Sequence, residues 1–85
     1  MPKMKFTKNN VNKVKHVFCV YSHYDKNGKR IRVGSTIDCK NRLKQQLKRI
    51  KAPYFSKKVT QTPTEARSLE KLICKRENPP LNQRC

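Results

Sequence analysis

The sequence predicts a small α+β domain in which helices flank a three-stranded antiparallel sheet, in the order β-β-α-β-α. Two runs rich in strand-forming residues, Val17 to Tyr21 and Ile31 to Gly34, lie on either side of the turn sequence Asp25-Lys26-Asn27-Gly28. Apolar residues then recur at helical spacing over positions 39–50 and again over 66–73. The chain has 85 residues, of which 34% are hydrophobic, so we expect one thin core between a sheet and its helices.

The hairpin and the first helix have clear sequence signals. Asn-Gly tolerates the positive φ angles of a tight hairpin turn, so the two runs are expected to pair. Ser35 or Thr36 can cap the helix that follows, and Pro53 ends it. The apolar stripe of that helix consists of Cys39, Leu43, Leu47 and Ile50.

The second half of the chain adds a third strand and a second helix. Tyr54 to Gln61 is predicted as the strand, with Phe55 and Val59 pointing inward. Thr62-Pro63-Thr64-Glu65 is a capping box, in which proline takes the first helical position and glutamate returns to the cap amide. Asn78-Pro79-Pro80 ends this helix. Its buried stripe is formed by Ala66, Leu69, Leu72 and Ile73.

The N-terminal segment differs in composition from the rest of the chain. It carries Lys3, Lys5, Lys8, Lys13 and Lys15, with no acidic residue and few apolar ones. We therefore predict a flexible basic arm over residues 1–15, followed by one folded domain over residues 16–85.

The charge balance indicates the kind of partner. There are 22 Lys and Arg residues against 5 Asp and Glu, which gives a net charge of +17. Such a domain attracts polyanions over a Debye length of about 10 Å, and it binds nucleic acid with salt-dependent affinity. A basic surface that serves only solubility is the alternative.

The apolar runs and the cysteines bear on location. No run of about 18 apolar residues is present, and the run Val17 to Tyr21 is too short for a signal peptide. We expect no membrane association and an intracellular protein, in the cytoplasm or in the nucleus of a eukaryotic host. Cys19, Cys39, Cys74 and Cys85 form no CxxC pair. Free thiols are therefore expected, the first three of them in the core, and a structural zinc site is not.

Three side chains suggest phosphodiester chemistry. Glu70, one of few acids, lies at the edge of an inward helix face, where it can bind a hard cation such as Mg²⁺. Arg42 can hold a phosphate through its planar fork, and Tyr21 can accept or pass on a proton. Taken singly, each has an ordinary alternative: a surface ion pair, one basic residue among many, and a half-buried core aromatic.

In this order, however, the residues resemble the GIY-YIG nuclease domain. Cys19-Val20-Tyr21 lies where that family has its first tripeptide, and Arg32-Val33-Gly34 follows after ten residues in the place of the second. Arg42 matches the catalytic arginine, and Ala66 to Ile73 resembles the helix that carries the metal-binding glutamate, here Glu70. Pro80-Leu81-Asn82 is similar to the closing asparagine segment, so the resemblance extends from His16 to Asn82.

The resemblance implies hydrolysis of double-stranded or branched DNA with one Mg²⁺ or Mn²⁺ ion per site. Tyr21 would act as general base or orient the water, Glu70 would bind the metal, and Arg42 would stabilise the transition state. Asn82 would brace the site, and Arg32 would donate to a phosphate or a water. Nucleic-acid contacts are expected at Lys13, Lys15, Arg30, Lys40, Gln46, Lys48 and Arg49.

Three departures from the family pattern leave alternatives open. Cys19 replaces a glycine, Gln46 stands where many members have histidine, and Arg32 replaces the second tyrosine and is a poor base. Activity survives if Tyr21 is the proton acceptor; otherwise the chain is a catalytically weakened nucleic-acid-binding module. A small RNA-binding or ribosome-associated protein would explain the charge alone. Since 85 residues leave no room for a specificity module, a nuclease of this size is expected to cut with little sequence preference, to recognise a DNA structure, to form a homodimer or to use a separate specificity partner.

Overall fold

In the computed structural model, residues 3–82 are described, and they contain four strands and three helices. In chain order these are β1 (Met4–Lys5), α1 (Lys8–Asn12), β2 (Cys19–Tyr24), β3 (Arg30–Thr36), α2 (Cys39–Arg49), β4 (Tyr54–Val59) and α3 (Pro63–Glu77). The strands form an antiparallel sheet in the order β1-β4-β2-β3. The α+β class is confirmed, but the sheet has four strands where three were predicted.

The extra strand comes from the segment predicted to be a flexible arm. Its described part, residues 3–15, is ordered: β1 pairs with β4, and α1 begins after the cap residue Thr7. Val11 and Val14 are buried in the core, and Met4 and Phe6 pack against it. The prediction of flexibility was wrong because these four apolar side chains outweigh the lysines between them, which remain at the surface.

The central strand β2 is covered on both faces, and all its residues are buried. Successive side chains of a strand point to opposite faces. Cys19, Tyr21 and His23 therefore face α1 and α2, whereas Val20 contributes to the cluster under α3. Leu72 was expected to be buried but is 55% exposed. It lies outside the stripe of α3 that packs on this cluster, and that stripe consists of Ala66, Leu69, Ile73 and Cys74.

The turns and caps agree with the sequence in part. In the β2–β3 turn, the Asp25 carboxylate accepts two backbone N–H groups and Gly28 takes a φ of 82°, as predicted. Thr62 caps α3 by accepting from the Glu65 N–H. The Glu65 carboxylate accepts from the Gln61 N–H rather than returning to the cap amide.

The cap of α2 is Asp38, not Ser35 or Thr36. Asp38 accepts from the Asn41 N–H, while Thr36 still lies in β3 and its hydroxyl accepts from the Asp38 N–H. Desolvation alone would raise the pKa of the Asp38 carboxyl. Hydrogen bonds from Asn41 and from the His16 ring outweigh it and hold that pKa below its ordinary value.

Cys19 and Cys39 form a disulfide, and no cysteine within residues 3–82 is a free thiol, so the prediction of free thiols was wrong. Cys19 begins β2 and Cys39 begins α2, and their Cα atoms are 5.7 Å apart with both side chains fully buried. Folding brings them into bonding distance across 20 positions of sequence, which spacing alone does not reveal. Cys74, on the inner side of α3, is buried as predicted but is not a free thiol, and Cys85 lies outside the described residues.

Within residues 3–82, no helix is long and apolar enough to cross a bilayer. The intracellular location stays a prediction. The Cys19–Cys39 disulfide does not favour it, because disulfides are more typical of oxidising compartments.

Candidate active site

A polar cleft of about 520 Å³ opens beside the edge strand β3. Its walls come from β2, β3, α2, α3 and the segment after α3. The lining residues are Tyr21, Arg32, Val33, Gly34, Ser35, Arg42, Glu70, Leu81 and Asn82. The fold thus brings together all five residues predicted to be catalytic, which are scattered over most of the sequence.

Tyr21 is held against Gly34, its partner across the β2–β3 ladder. A Cβ atom added at Gly34 would lie 3.0 Å from Cε2 of the Tyr21 ring and closer still to its hydroxyl end. Real Cβ atoms do not make such contacts, so glycine is required for space rather than for its backbone angles. The glycine of the second tripeptide therefore leaves room for the tyrosine of the first.

The Tyr21 hydroxyl is also positioned by a buried polar chain. Gln46 Nε2 donates to the Tyr21 oxygen at 2.9 Å, and Gln46 Oε1 lies 2.7 Å from His23 Nε2. Because a carbonyl oxygen only accepts, His23 Nε2 carries the proton and fixes the amide with its NH₂ group towards Tyr21. The Tyr21 oxygen accepts from Gln46, so its own proton is left for another acceptor.

The hydrogen bonds to Tyr21 and His23 give Gln46 a contact that the sequence did not predict. Gln46 is 5% exposed, its amide contacts Tyr21 inside the protein, and it also lines a cavity beside the cleft. His23 was missed as a site residue. The available signal was its place two residues after Tyr21, on the same inward side of a strand that is apolar at most positions.

His23 is fully buried, and its Nδ1 atom has no hydrogen-bond partner within residues 3–82. Burial lowers the pKa of His23 below its ordinary value. The Gln46 hydrogen bond opposes this shift, and the charge of Arg32 adds to it. The aromatic rings of Phe6 and Tyr21 also face the imidazole. The ring is therefore neutral in the folded protein near neutral pH.

We expect stability to fall as the pH drops below the ordinary histidine value of 6.5, because the unfolded chain then binds a proton that folded His23 resists. One such group changes the free energy of unfolding by at most about 1.4 kcal/mol per pH unit. Urea unfolding between pH 8 and pH 5 measures this slope. His23→Gln should remove it, and His16→Gln should keep it. A slope that is unchanged in His23→Gln would assign the effect to another group.

Glu70 faces the cleft from the opposite side of the sheet edge. Ser35 Oγ donates to Glu70 Oε1 at 2.7 Å. Ser35 is adjacent to Gly34 on β3 and so points to the α3 face, whereas Arg32 points to the α2 face. The cleft therefore has a carboxylate on one side of the edge strand and guanidinium groups on the other. Ser35 was missed because the sequence suggested a helix cap for it.

Asn82 is bonded to the free edge of β3. Its side chain accepts from the Val33 N–H and donates to the Val33 carbonyl, both at 2.9 Å. The neighbouring Leu81 N–H donates to the Ile31 carbonyl at 2.9 Å. The terminal segment thus extends the ladder by side-chain and backbone bonds, and it holds the cleft wall that carries Arg32 and Ser35.

The donor set of the cleft fits a hard divalent cation. Glu70 supplies the carboxylate in the lining, and the cleft is predominantly polar. Within residues 3–82, no three or more His, Cys, Asp or Glu side chains come together in a group that could hold a metal ion. Mg²⁺ suits such a site, since it is commonly bound by one or two carboxylates and retains several waters.

The residues predicted to contact nucleic acid are only partly grouped. Lys48 and Arg49 line a groove of about 700 Å³ between α1 and α2, together with Lys8, Asn12, Lys44, Gln45 and Leu47. Arg30 is bonded to Ser22, Tyr24 and the Glu77 carboxylate on the α3 side. The remaining three, Lys13, Lys15 and Lys40, reach the surface but line neither the cleft nor this groove.

No protein-family model matches the sequence, and no curated protein matches it. Solved structures do match the fold. The magnesium-bound GIY-YIG N-terminal endonuclease domain of UvrC from Thermotoga maritima has a TM-score of 0.78 and 24% identity, over 88% of this chain and 93% of that chain. Two point mutants of that domain bound to its catalytic divalent cation give TM-scores of 0.80 and 0.81 at 23% and 22% identity, over 91% of this chain and 94% of theirs. At this identity, the comparison establishes a shared fold.

Proposed function

We propose that this chain, which has the fold of a GIY-YIG endonuclease domain, is a divalent-metal-dependent DNA endonuclease. The observation that carries the proposal is the cleft beside β3. It gathers a tyrosine, two arginines, a glutamate and an asparagine that are far apart in sequence. Hydrolysis of a phosphodiester needs a proton acceptor, positive charge on the phosphoryl oxygens and a fixed arrangement of both.

In this proposal Tyr21 is the proton acceptor for the attacking water. Tyr21 first releases its own phenol proton to solvent. Its phenolate oxygen then accepts a proton from the water as the water oxygen bonds to phosphorus, and the bond to the leaving ester oxygen breaks, with that oxygen taking a proton from solvent. The hydrogen bond from the Gln46 side-chain amide can persist whether or not the Tyr21 oxygen is protonated, since that oxygen is the acceptor in both states. Arg42 offers its guanidinium to the equatorial oxygens, and Asn82 keeps the wall in place through Val33.

Glu70 would hold the metal, with Ser35 fixing one of its oxygens. We propose Mg²⁺ or Mn²⁺, one ion per site, which would supply a Lewis acid for the phosphoryl oxygen and the leaving group. The substrate is DNA, double-stranded or branched. We also propose that the choice of cleavage position comes from a second copy of the chain or from a separate specificity partner.

A nucleic-acid-binding module with weakened catalysis is the second candidate. The observation that favours it is Arg32, which takes the place of the family's second tyrosine and stays protonated. In that case the cleft would hold DNA without cutting it.

Cleavage of supercoiled plasmid and branched DNA in Mg²⁺ or Mn²⁺ separates the two candidates. We expect cutting that EDTA abolishes and that Glu70→Gln slows about a hundred- to thousandfold, the typical loss for one transition-state contact. Glu65→Gln is the matched control, because Glu65 is an exposed acid in the first turn of the same helix.

Absence of metal-dependent cutting on every substrate would contradict the enzyme and leave the binding module. Unchanged cutting by Glu70→Gln would remove the role assigned to that carboxylate. DNA binding by Glu70→Gln should be at least as tight as in the parent, since a negative charge near the phosphate is lost.

A further inference from the structure

A second cavity adjoins the cleft on the α2 side of the sheet. It has a volume of about 250 Å³ and is lined by Arg32, Arg42, Gln45, Gln46, Arg49 and Ile50. Arg32 and Arg42 also line the cleft, so the two spaces are adjacent. Three guanidinium groups surround the second cavity, and no carboxylate is part of its lining.

Within residues 3–82, none of these three arginines forms an ion pair. The ion pairs among residues 3–82 are His16–Asp38 and Arg30–Glu77. All five acids of the chain are bound elsewhere: Asp25 in the hairpin turn, Asp38 and Glu65 at helix caps, Glu70 to Ser35 and Glu77 to Arg30. A contiguous group of like charges repels itself, and an anion would relieve that repulsion.

Arg32 adds a second, independent observation. Its Nε–H is buried and lacks a hydrogen-bond partner within residues 3–82. Buried donors are nearly always satisfied, so an unsatisfied one beside a cavity indicates an acceptor that is supplied from outside. Arginine forks donate to phosphate oxygens through paired N–H groups, and phosphate therefore suits this donor.

We propose that the cavity between Arg32, Arg42 and Arg49 binds a second phosphate of the DNA strand, next to the phosphate that is cleaved. The inference rests on the proposed function, because it takes the cleft as the place of the scissile phosphate. A strand presents a negative charge at every nucleotide, so one bound phosphate brings its neighbour to the adjoining space. Arg32 then binds substrate where the family has a tyrosine, and Arg42 lies between the two phosphates.

Calorimetric titration without metal tests whether two neighbouring phosphates are bound. The ligands compared are thymidine 3′,5′-bisphosphate and thymidine 5′-monophosphate. We expect the bisphosphate to bind at least tenfold more tightly. Arg49→Gln should remove most of that advantage while leaving the affinity for the monophosphate nearly unchanged. Arg76→Gln is the matched control, because it removes the same charge from an exposed position in the last turn of α3 and should leave the advantage intact.

Equal affinity for the two nucleotides would overturn the inference. An equal loss of the bisphosphate advantage in Arg49→Gln and Arg76→Gln would also overturn it, because that result would indicate general charge attraction. Thermal unfolding confirms that each variant is folded. Binding without metal does not depend on cleavage. Plasmid cutting without a bisphosphate advantage therefore overturns only the second phosphate site, and an advantage without any cutting contradicts only the enzyme.

Discussion

Replacing Tyr21 with phenylalanine is expected to slow DNA cleavage by roughly 10²- to 10⁴-fold, the usual contribution of a positioned general base. The ring would remain in place, because it is packed on Gly34 and buried in the core around Leu43 and Phe55. The change therefore removes the hydroxyl group and its bond from Gln46 and little else. Single-turnover cleavage rates measured with saturating enzyme report the chemical step without the contribution of binding.

Tyr24→Phe is the matched control for this variant. Tyr24 lies three residues further along β2, is as well buried, and its hydroxyl is hydrogen-bonded to Ser56 and Arg30 on the opposite face of the sheet. It should cut at close to the parental rate. A parental rate in Tyr21→Phe would mean that another group accepts the proton. Arg32 stays protonated, so that result would favour a proton acceptor from solvent.

The parts of the fold that sequence predicted share a local cause. The Asn-Gly turn and the cap at Thr62 each depend on residues close in sequence. Their side-chain and backbone preferences act within a few positions, so the pattern alone identifies them. The cleft was predicted from the order of its residues in the resembling family, since no local rule brings Tyr21 and Glu70 together.

What sequence missed depends on contacts between distant segments. The pairing of Met4 and Lys5 with β4 needs an edge strand that exists only after folding. The roles of His23 and Gln46 follow from a hydrogen bond across 23 positions, between a strand and a helix. In a single sequence each is a polar residue among many, and helical spacing places Gln46 beside Arg42 without indicating that it is buried.

Removing the Cys19–Cys39 disulfide is expected to lower the free energy of unfolding by about 3 kcal/mol, from the chain entropy of closing a loop of this length. Domains of this size are stabilised by only about 5–15 kcal/mol, so the effect is large. Urea unfolding of the Cys19→Ala/Cys39→Ala double variant measures it. The double substitution avoids leaving one unpaired thiol in a fully buried site.

The disulfide also bears on the cleft, because it joins β2 two residues before Tyr21 to α2 three residues before Arg42. Without the disulfide, α2 is still held to the sheet by the packing of Leu43 and by the hydrogen bonds of Gln46, so the cleft should persist at low urea. Cleavage by the double variant should therefore stay within a few fold of the parent at 25 °C and be lost at a lower temperature on heating. An unchanged unfolding midpoint would mean that the bond does not constrain the unfolded chain. A loss of cleavage in the folded variant at 25 °C would instead make the disulfide part of how Tyr21 and Arg42 are aligned.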